Sequence, residues 1–163
     1  MKGTYTLLLV CKERFRVMIG RLGYANIDAG YYMYTGSALG VGAQSLEGRL
    51  GRHSQRSKKR RWHVDYLTSN SRCGITTAVW LMSPRRMECA INQAISREFN
   101  AKPVLPRAGS SDCKCDGHLM KIQSSIGPRG MSALLVSVYR RFGSPVRCIR
   151  LANSLRKLSA GKA

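Results

Sequence analysis

The sequence predicts an α+β domain, an α/β-type sandwich with a small, mostly antiparallel three-stranded central sheet, flanking helices, an extra hairpin and a C-terminal helix. Three observations point there. Short β-branched and aromatic runs crowd the first quarter of the chain, each bounded by glycine or a charged turn. Two later segments begin with helix-start residues and continue with apolar side chains one turn apart. With 163 residues and 44% hydrophobic content, the chain can bury one core.

Gly3 to Cys11 and Phe15 to Gly20 read as the two strands of a hairpin around the charged turn Lys12-Glu13-Arg14. Gly23 to Gly30 reads as a loop. Tyr31 to Gly36 is a third short strand, with Tyr32 and Tyr34 on one face and Tyr31 and Met33 on the other. A helix follows from Ser45, its N-cap, with Leu46 and Leu50 as the inward stripe and Arg49 and His53 beside it. Gly48 and Gly51 each cost that helix about 1 kcal/mol against alanine, which calls for a close backbone approach. Trp62 to Leu67 and Ile75 to Met82 return to strand character. Ser83 and Pro84 then start a helix running to about Asn100, with Met87, Ile91, Ala94, Ile95 and Phe99 as its stripe. His118 to Ile122 reads as an edge strand, and Gly130 to Phe142 as a helix after the breaker Gly127-Pro128. Residues 1–127 are expected to form the main domain, and 128–163 a basic helical extension. Arg150, Arg156 and Lys157 in the tail suit either a solvated helix or an arm touching DNA.

Twenty-eight Lys and Arg against eight Asp and Glu leave a formal charge of +20, which repels itself unless a polyanion screens it. The expected partner is DNA, with RNA as the alternative polyanion. The run Arg56, Lys58, Lys59, Arg60 and Arg61, together with Arg52, is expected to hold the phosphate backbone without reading sequence. No run approaches the roughly 18 apolar residues of a membrane span, and the N-terminus does not read as a signal peptide. The expectation is therefore a cytoplasmic, nucleoid-associated protein of unspecified oligomeric state. The six cysteines are then expected as thiols or metal ligands rather than as a disulfide framework. Cys113, Cys115 and His118, with Cys89 or His63 as a fourth ligand, could hold one Zn²⁺.

Glu88 falls inside the apolar stripe of its helix. An inward carboxylate needs a cation, a metal or a proton, so Glu88 is either a metal ligand or half of an internal ion pair. With one such acid, a single Mg²⁺ or Mn²⁺ fits better than a two-metal site.

Gly3-Thr4-Tyr5, the segment Tyr32 to Ala38 and the segment Gly48 to His53 together resemble the core of the GIY-YIG nuclease family. Trp62 to Leu67, Glu88-Cys89, and Ser110 to Cys113 with His118-Leu119 are similar to its mainly archaeal branch. That branch occurs alone or joined to endonuclease III-type glycosylases, which implies DNA repair or recombination and partners among repair proteins. The resemblance covers about residues 3 to 122 and implies a divalent-metal-dependent endonuclease hydrolysing DNA. In it Tyr5, Tyr34 and His53 orient or deprotonate a water, Arg49 neutralises developing charge and Glu88 holds the metal; His63, beside Trp62 and ahead of Asp65, reads either as an assisting group or as a hydrogen-bonded strand residue. Threonine replaces isoleucine in both half motifs, the stretch from Tyr5 to Tyr34 is longer than in homing endonucleases, and the asparagine of many relatives has no match. The alternative is a non-catalytic nucleic-acid-binding module.

Overall fold

Strand β1 (Gly3–Cys11) is the spine of the fold, flanked by β4 (Gly30–Ala38) on one side and β5 (Cys73–Met82) on the other. It is buried on both faces, so its apolar run is nearly continuous rather than alternating. In this computed structural model, which describes residues 1–151, two edges extend the trio. Beyond β4 lie β7 (Leu119–Lys121) and β6 (Lys102–Pro103), and beyond β5 lies β8 (Val146–Arg150). All five pairings are antiparallel. The sheet therefore has six strands, in the order β6-β7-β4-β1-β5-β8, and not the three expected.

Each face of this sheet carries its own core. One packs Tyr5, Leu7, Leu9, Tyr32 and Tyr34 against Leu46, Val64 and Leu67, which belong to or adjoin α1 (Leu46–Ser54) and α2 (Asp65–Thr68). The other packs Leu8, Met33, Val79 and Leu81 against α3 (Glu88–Glu98) and α4 (Pro128–Arg140). On that second face Thr6 bonds both Thr35 and the Tyr139 hydroxyl, so the buried hydroxyls satisfy one another.

Several local expectations change. Phe15 to Gly20 does not pair with β1: β2 (Phe15–Met18) pairs with β3 (Tyr24–Ile27), inside the expected loop, in a separate two-stranded ribbon. Trp62 to Leu67 is a turn leading into α2, because the Asp65 carboxylate accepts the Arg61 and Trp62 amides at 2.8 and 3.0 Å and closes the chain on itself. Ser83 caps only a turn, accepting the Arg85 amide, and α3 begins at Glu88. The segment at His118 is not an edge, since β6 lies outside β7. Arg147 and Arg150 sit on β8 rather than on a helix or arm; Arg156 and Lys157 lie outside the described residues. Cys11 and Cys73, register partners on β1 and β5, form a disulfide, where free thiols or ligands were expected.

Candidate functional site

Strand β7 covers only Tyr32 to Tyr34 of its neighbour, and one further bond runs from the Thr35 amide to the His118 carbonyl. From Gly36 onward β4 has a bare edge on that side. A cleft of about 570 Å³ opens there, floored by Tyr34, Gly36 and Ser37 and walled by Arg49, Trp62, His63, Glu88 and Asp112. Gly36 lets the tyrosines pack tightly under the floor: a Cβ there would stand 2.9 Å from the Tyr5 hydroxyl and 3.3 Å from the Tyr34 ring.

Tyr5 and Tyr34 stand side by side, their ring centroids 6.2 Å apart, as diagonal neighbours two residues out of direct register on adjacent strands. Helix α1 brings His53 to both. Its N-terminus is held by the Ser45 hydroxyl, which accepts the Gly48 amide. Gly48 allows the close approach its sequence cost called for, since a Cβ would meet the Gly42 carbonyl at 2.4 Å. Gly51 meets nothing and remains unexplained.

The Tyr5 hydroxyl and His53 Nε2 are 2.8 Å apart, and His53 Nδ1 lies 3.8 Å from Asp65 Oδ1. Burial, assisted by Lys58 and opposed by Asp65, depresses the His53 pKa to about 3, so the imidazole is neutral at pH 7. A neutral ring accepting the phenol proton at Nε2 carries its own proton on Nδ1, towards Asp65. Tyr5 is pushed up to about 12 by burial, which outweighs the lowering by Arg49. Tyr34 is raised too, again chiefly by burial. The positive charge of the chain thus does not make either tyrosine a ready phenolate.

Asp65 organises the basic segment around this site. It takes a bidentate pair from Arg52 at 3.0 and 2.9 Å and stands 3.9 Å from Lys58 Nζ. The Lys58 side chain is only 3% exposed, and its ammonium donates to the His53 carbonyl at 3.0 Å. Burial lowers its pKa to about 8. Arg52 and Lys58 are therefore structural groups with little surface to offer a phosphate, whereas Arg56, Lys59, Arg60 and Arg61 are exposed. Arg60 lies over Tyr66, and Arg61 reaches the cleft.

Arg49 lies over Trp62 at 5.0 Å, donates to Gln44 at 2.9 Å and keeps a buried Nε without a protein partner. Across the cleft His63 accepts the Gly109 amide at Nδ1, 2.8 Å away, which leaves the ring proton on Nε2. Burial lowers its pKa.

Glu88 is buried, but at the first turn of α3 rather than deep in its stripe. Arg86 Nη2 stands 2.6 Å from Glu88 Oε1, and the Ser37 hydroxyl donates to Oε2. Burial raises the Glu88 pKa, but Ser37 and Arg86 together overcome this and hold it below the ordinary carboxylate value. The same Arg86 nitrogen lies 2.5 Å from Asp112 Oδ2.

The soft donors form a separate group. Cys89, one residue after Glu88, meets Cys113, Cys115 and His118, with all four ligand atoms within 4.8 Å of one another. This is a metal-binding cluster, and of the two sequence candidates for fourth ligand it takes Cys89 and leaves out His63. Sequence reasoning missed Ser37, Arg86 and Asp112 as cleft groups and Asp65 as the organiser. Asp65 alone carried a local signal, an acid three and four residues after the amides it caps.

The family described as Domain of unknown function DUF123 matches residues 4–140. No curated protein and no solved structure matches the chain. The resemblance to GIY-YIG nucleases, and to their glycosylase-linked archaeal branch, is accordingly withdrawn: the match is to a family without assigned function, and the sheet has six strands. The endonuclease, repair and archaeal labels lose the support that this resemblance gave them.

Proposed function

Since the chain belongs to the DUF123 family, a domain of unknown function, its activity has to be read from the cleft, and we propose divalent-metal-dependent hydrolysis of phosphodiester bonds in DNA. The observation that carries this reading is the convergence on one cleft of the Tyr34 phenol, the Arg49 guanidinium, His63 and the buried carboxylate of Glu88, with the hydrogen-bonded Tyr5–His53 pair packed directly behind Tyr34.

Glu88, Ser37 and Asp112 offer hard oxygen donors, which fit Mg²⁺ or Mn²⁺; the Cys₃His cluster is soft and fits Zn²⁺ in a structural role. When bound, the divalent ion supplies charge stabilisation for the phosphoryl oxygens and the leaving oxygen. The protein supplies the rest. A water in line with the phosphorus gives up its proton to Tyr34, the phenol that lines the cleft, as Tyr34 passes its own to the buried Tyr5 and Tyr5 passes its own to His53 Nε2, and Asp65 offsets the imidazolium that forms. The relay needs no phenolate, which suits tyrosines whose pKa values are raised. The Arg49 guanidinium, which lines the cleft, offers its positive charge to a non-bridging oxygen, and His63 can donate from Nε2. The exposed Arg56, Lys59, Arg60 and Arg61 supply sequence-independent affinity for the backbone.

The Arg86 ion pair favours one competing reading, a nucleic-acid-binding module without cleavage, in which Glu88 is purely structural. The Glu88→Gln variant separates them. It should abolish Mg²⁺-dependent nicking of closed circular plasmid while melting within a few degrees of wild type, because the Arg86 it releases is 53% exposed and can be solvated. A folded Glu88→Gln protein that still nicks at the wild-type rate would refute the hydrolytic reading.

A further inference from the structure

We infer that Arg86 is an internal counter-cation standing where the divalent ion of the proposed reaction would sit, and that Asp112 is that ion's second protein ligand; this rests on the hydrolytic reading above. Arg86 Nη2 lies between two anionic oxygens, 2.6 Å from Glu88 Oε1 and 2.5 Å from Asp112 Oδ2. Arg86 Nε meets the same Glu88 oxygen at 2.8 Å, and Ser37 occupies the other oxygen of that carboxylate. One positive group thus bridges two carboxylates on the wall of the cleft, and magnesium–oxygen bonds of about 2.1 Å would ask only a small inward shift of the exposed Asp112.

Burial explains why the arginine is there. Glu88 has a side chain 5% exposed, and a carboxylate so placed needs a counter-charge whenever no metal is present. The guanidinium provides it from a side chain that is 53% exposed and bonded only to these two acids. It can leave for solvent, or for a substrate phosphate, without disturbing the core. It cannot leave by losing its proton, so metal entry is an exchange of cations rather than a titration.

Both acids are also held by chemistry from behind. Cys89 follows Glu88 and Cys113 follows Asp112, and both cysteines belong to the Cys₃His cluster. A metal in that cluster ties the start of α3 to the loop bearing Asp112, fixing the two carboxylates across from each other.

Exchange has a measurable consequence. A ligand whose site is open only part of the time binds with an apparent affinity reduced by the open fraction, so removing Arg86 should tighten metal binding. The test is a Mn²⁺ titration of the full chain followed by electron paramagnetic resonance, without nucleic acid and with one equivalent of Zn²⁺ added first. Arg86→Met should bind Mn²⁺ about ten-fold more tightly than wild type, a factor matching an open fraction of about one in ten. Arg86→Lys, which lacks the fork that bridges both acids, should fall between. Because Asp112 both anchors Arg86 and is assigned to the metal, its share is read in the absent-arginine background: Arg86→Met with Asp112→Asn should bind more weakly than Arg86→Met alone. If Arg86→Met and Arg86→Lys both bind Mn²⁺ no more tightly than wild type, while Glu88→Gln has lost it, the exchange is wrong and the hydrolytic reading stands. If Glu88→Gln binds Mn²⁺ as wild type does, both fall.

Discussion

At the scale of single residues, His53 and Asp65 set how the site responds to acid and to substitution. The folded pKa of His53, about 3, lies below its ordinary value of 6.5, so between those values the unfolded chain holds a proton that the folded protein does not. Stability must therefore fall as pH drops through that window, by up to about 1.4 kcal/mol per pH unit for one proton. His63 is shifted in the same direction by burial and adds to the slope. Replacing His53 with Asn should flatten the profile between pH 6.5 and 5, above the range where carboxylates titrate; denaturant melts across that range measure it, and an unchanged slope would show that His53 does not titrate as assigned. Asp65 gives a second test. It is fully buried, neutralises Arg52 and Lys58 and caps two amides, so Asp65→Asn leaves cations without a counter-charge. The cost should be about 3 kcal/mol in chemical denaturation.

Among the elements, the loop before β7 and the first turn of α3 depend most on chemistry other than the apolar core. The loop contributes Cys113, Cys115 and His118, and the helix contributes Cys89. Asn92 adds one further tie by donating to the Gly117 carbonyl at 2.8 Å. Metal binding to four such donors is itself folding free energy. Purified protein should carry one Zn²⁺ per chain, and Cys113→Ser should lower both zinc content and melting temperature. Chelation should make this loop the first site of proteolytic nicking, read by mass spectrometry of the fragments. Full thermal stability after the zinc is stripped would show that the donors meet without needing a metal.

For the whole molecule, charge is the dominant quantity. A net +20 with Lys58 and Arg52 committed internally leaves Arg56, Lys59, Arg60 and Arg61 as the exposed basic groups of this segment, beside the cleft reached by Arg61. Replacing Lys59, Arg60 and Arg61 with serine should weaken duplex DNA binding and flatten its log–log salt dependence by about 0.9 for each phosphate no longer neutralised. Fluorescence anisotropy at several salt concentrations measures both, and an unchanged slope would mean that this face is merely solvated. Lys58→Ser should behave differently, lowering stability rather than the salt slope, because its charge is turned inward. No helix among the described residues is long and apolar enough to cross a membrane.

What the sequence determined by itself was periodic or local. The two-residue alternation put Tyr32 and Tyr34 on one face of β4, Ser45 capped α1 as its side chain and position require, and the spacing of Cys113, Cys115 and His118 marked a soft-ligand cluster. Glu88 was legible as an inward acid needing a counter-charge, though not which cation supplies it. Tertiary structure alone decided the six-strand order, the separate β2–β3 ribbon, the reach of Asp65 to Arg52, Lys58 and His53, and the meeting of Arg86 with Asp112. The strand order and the Arg86–Asp112 meeting are pairings across long sequence separations, set by how two cores pack on opposite faces of one sheet, whereas the β2–β3 ribbon and the reach of Asp65 are short-range but depend on which of several neighbouring partners the packed chain brings close. For the long-range pairings, no window of neighbouring residues contains that information.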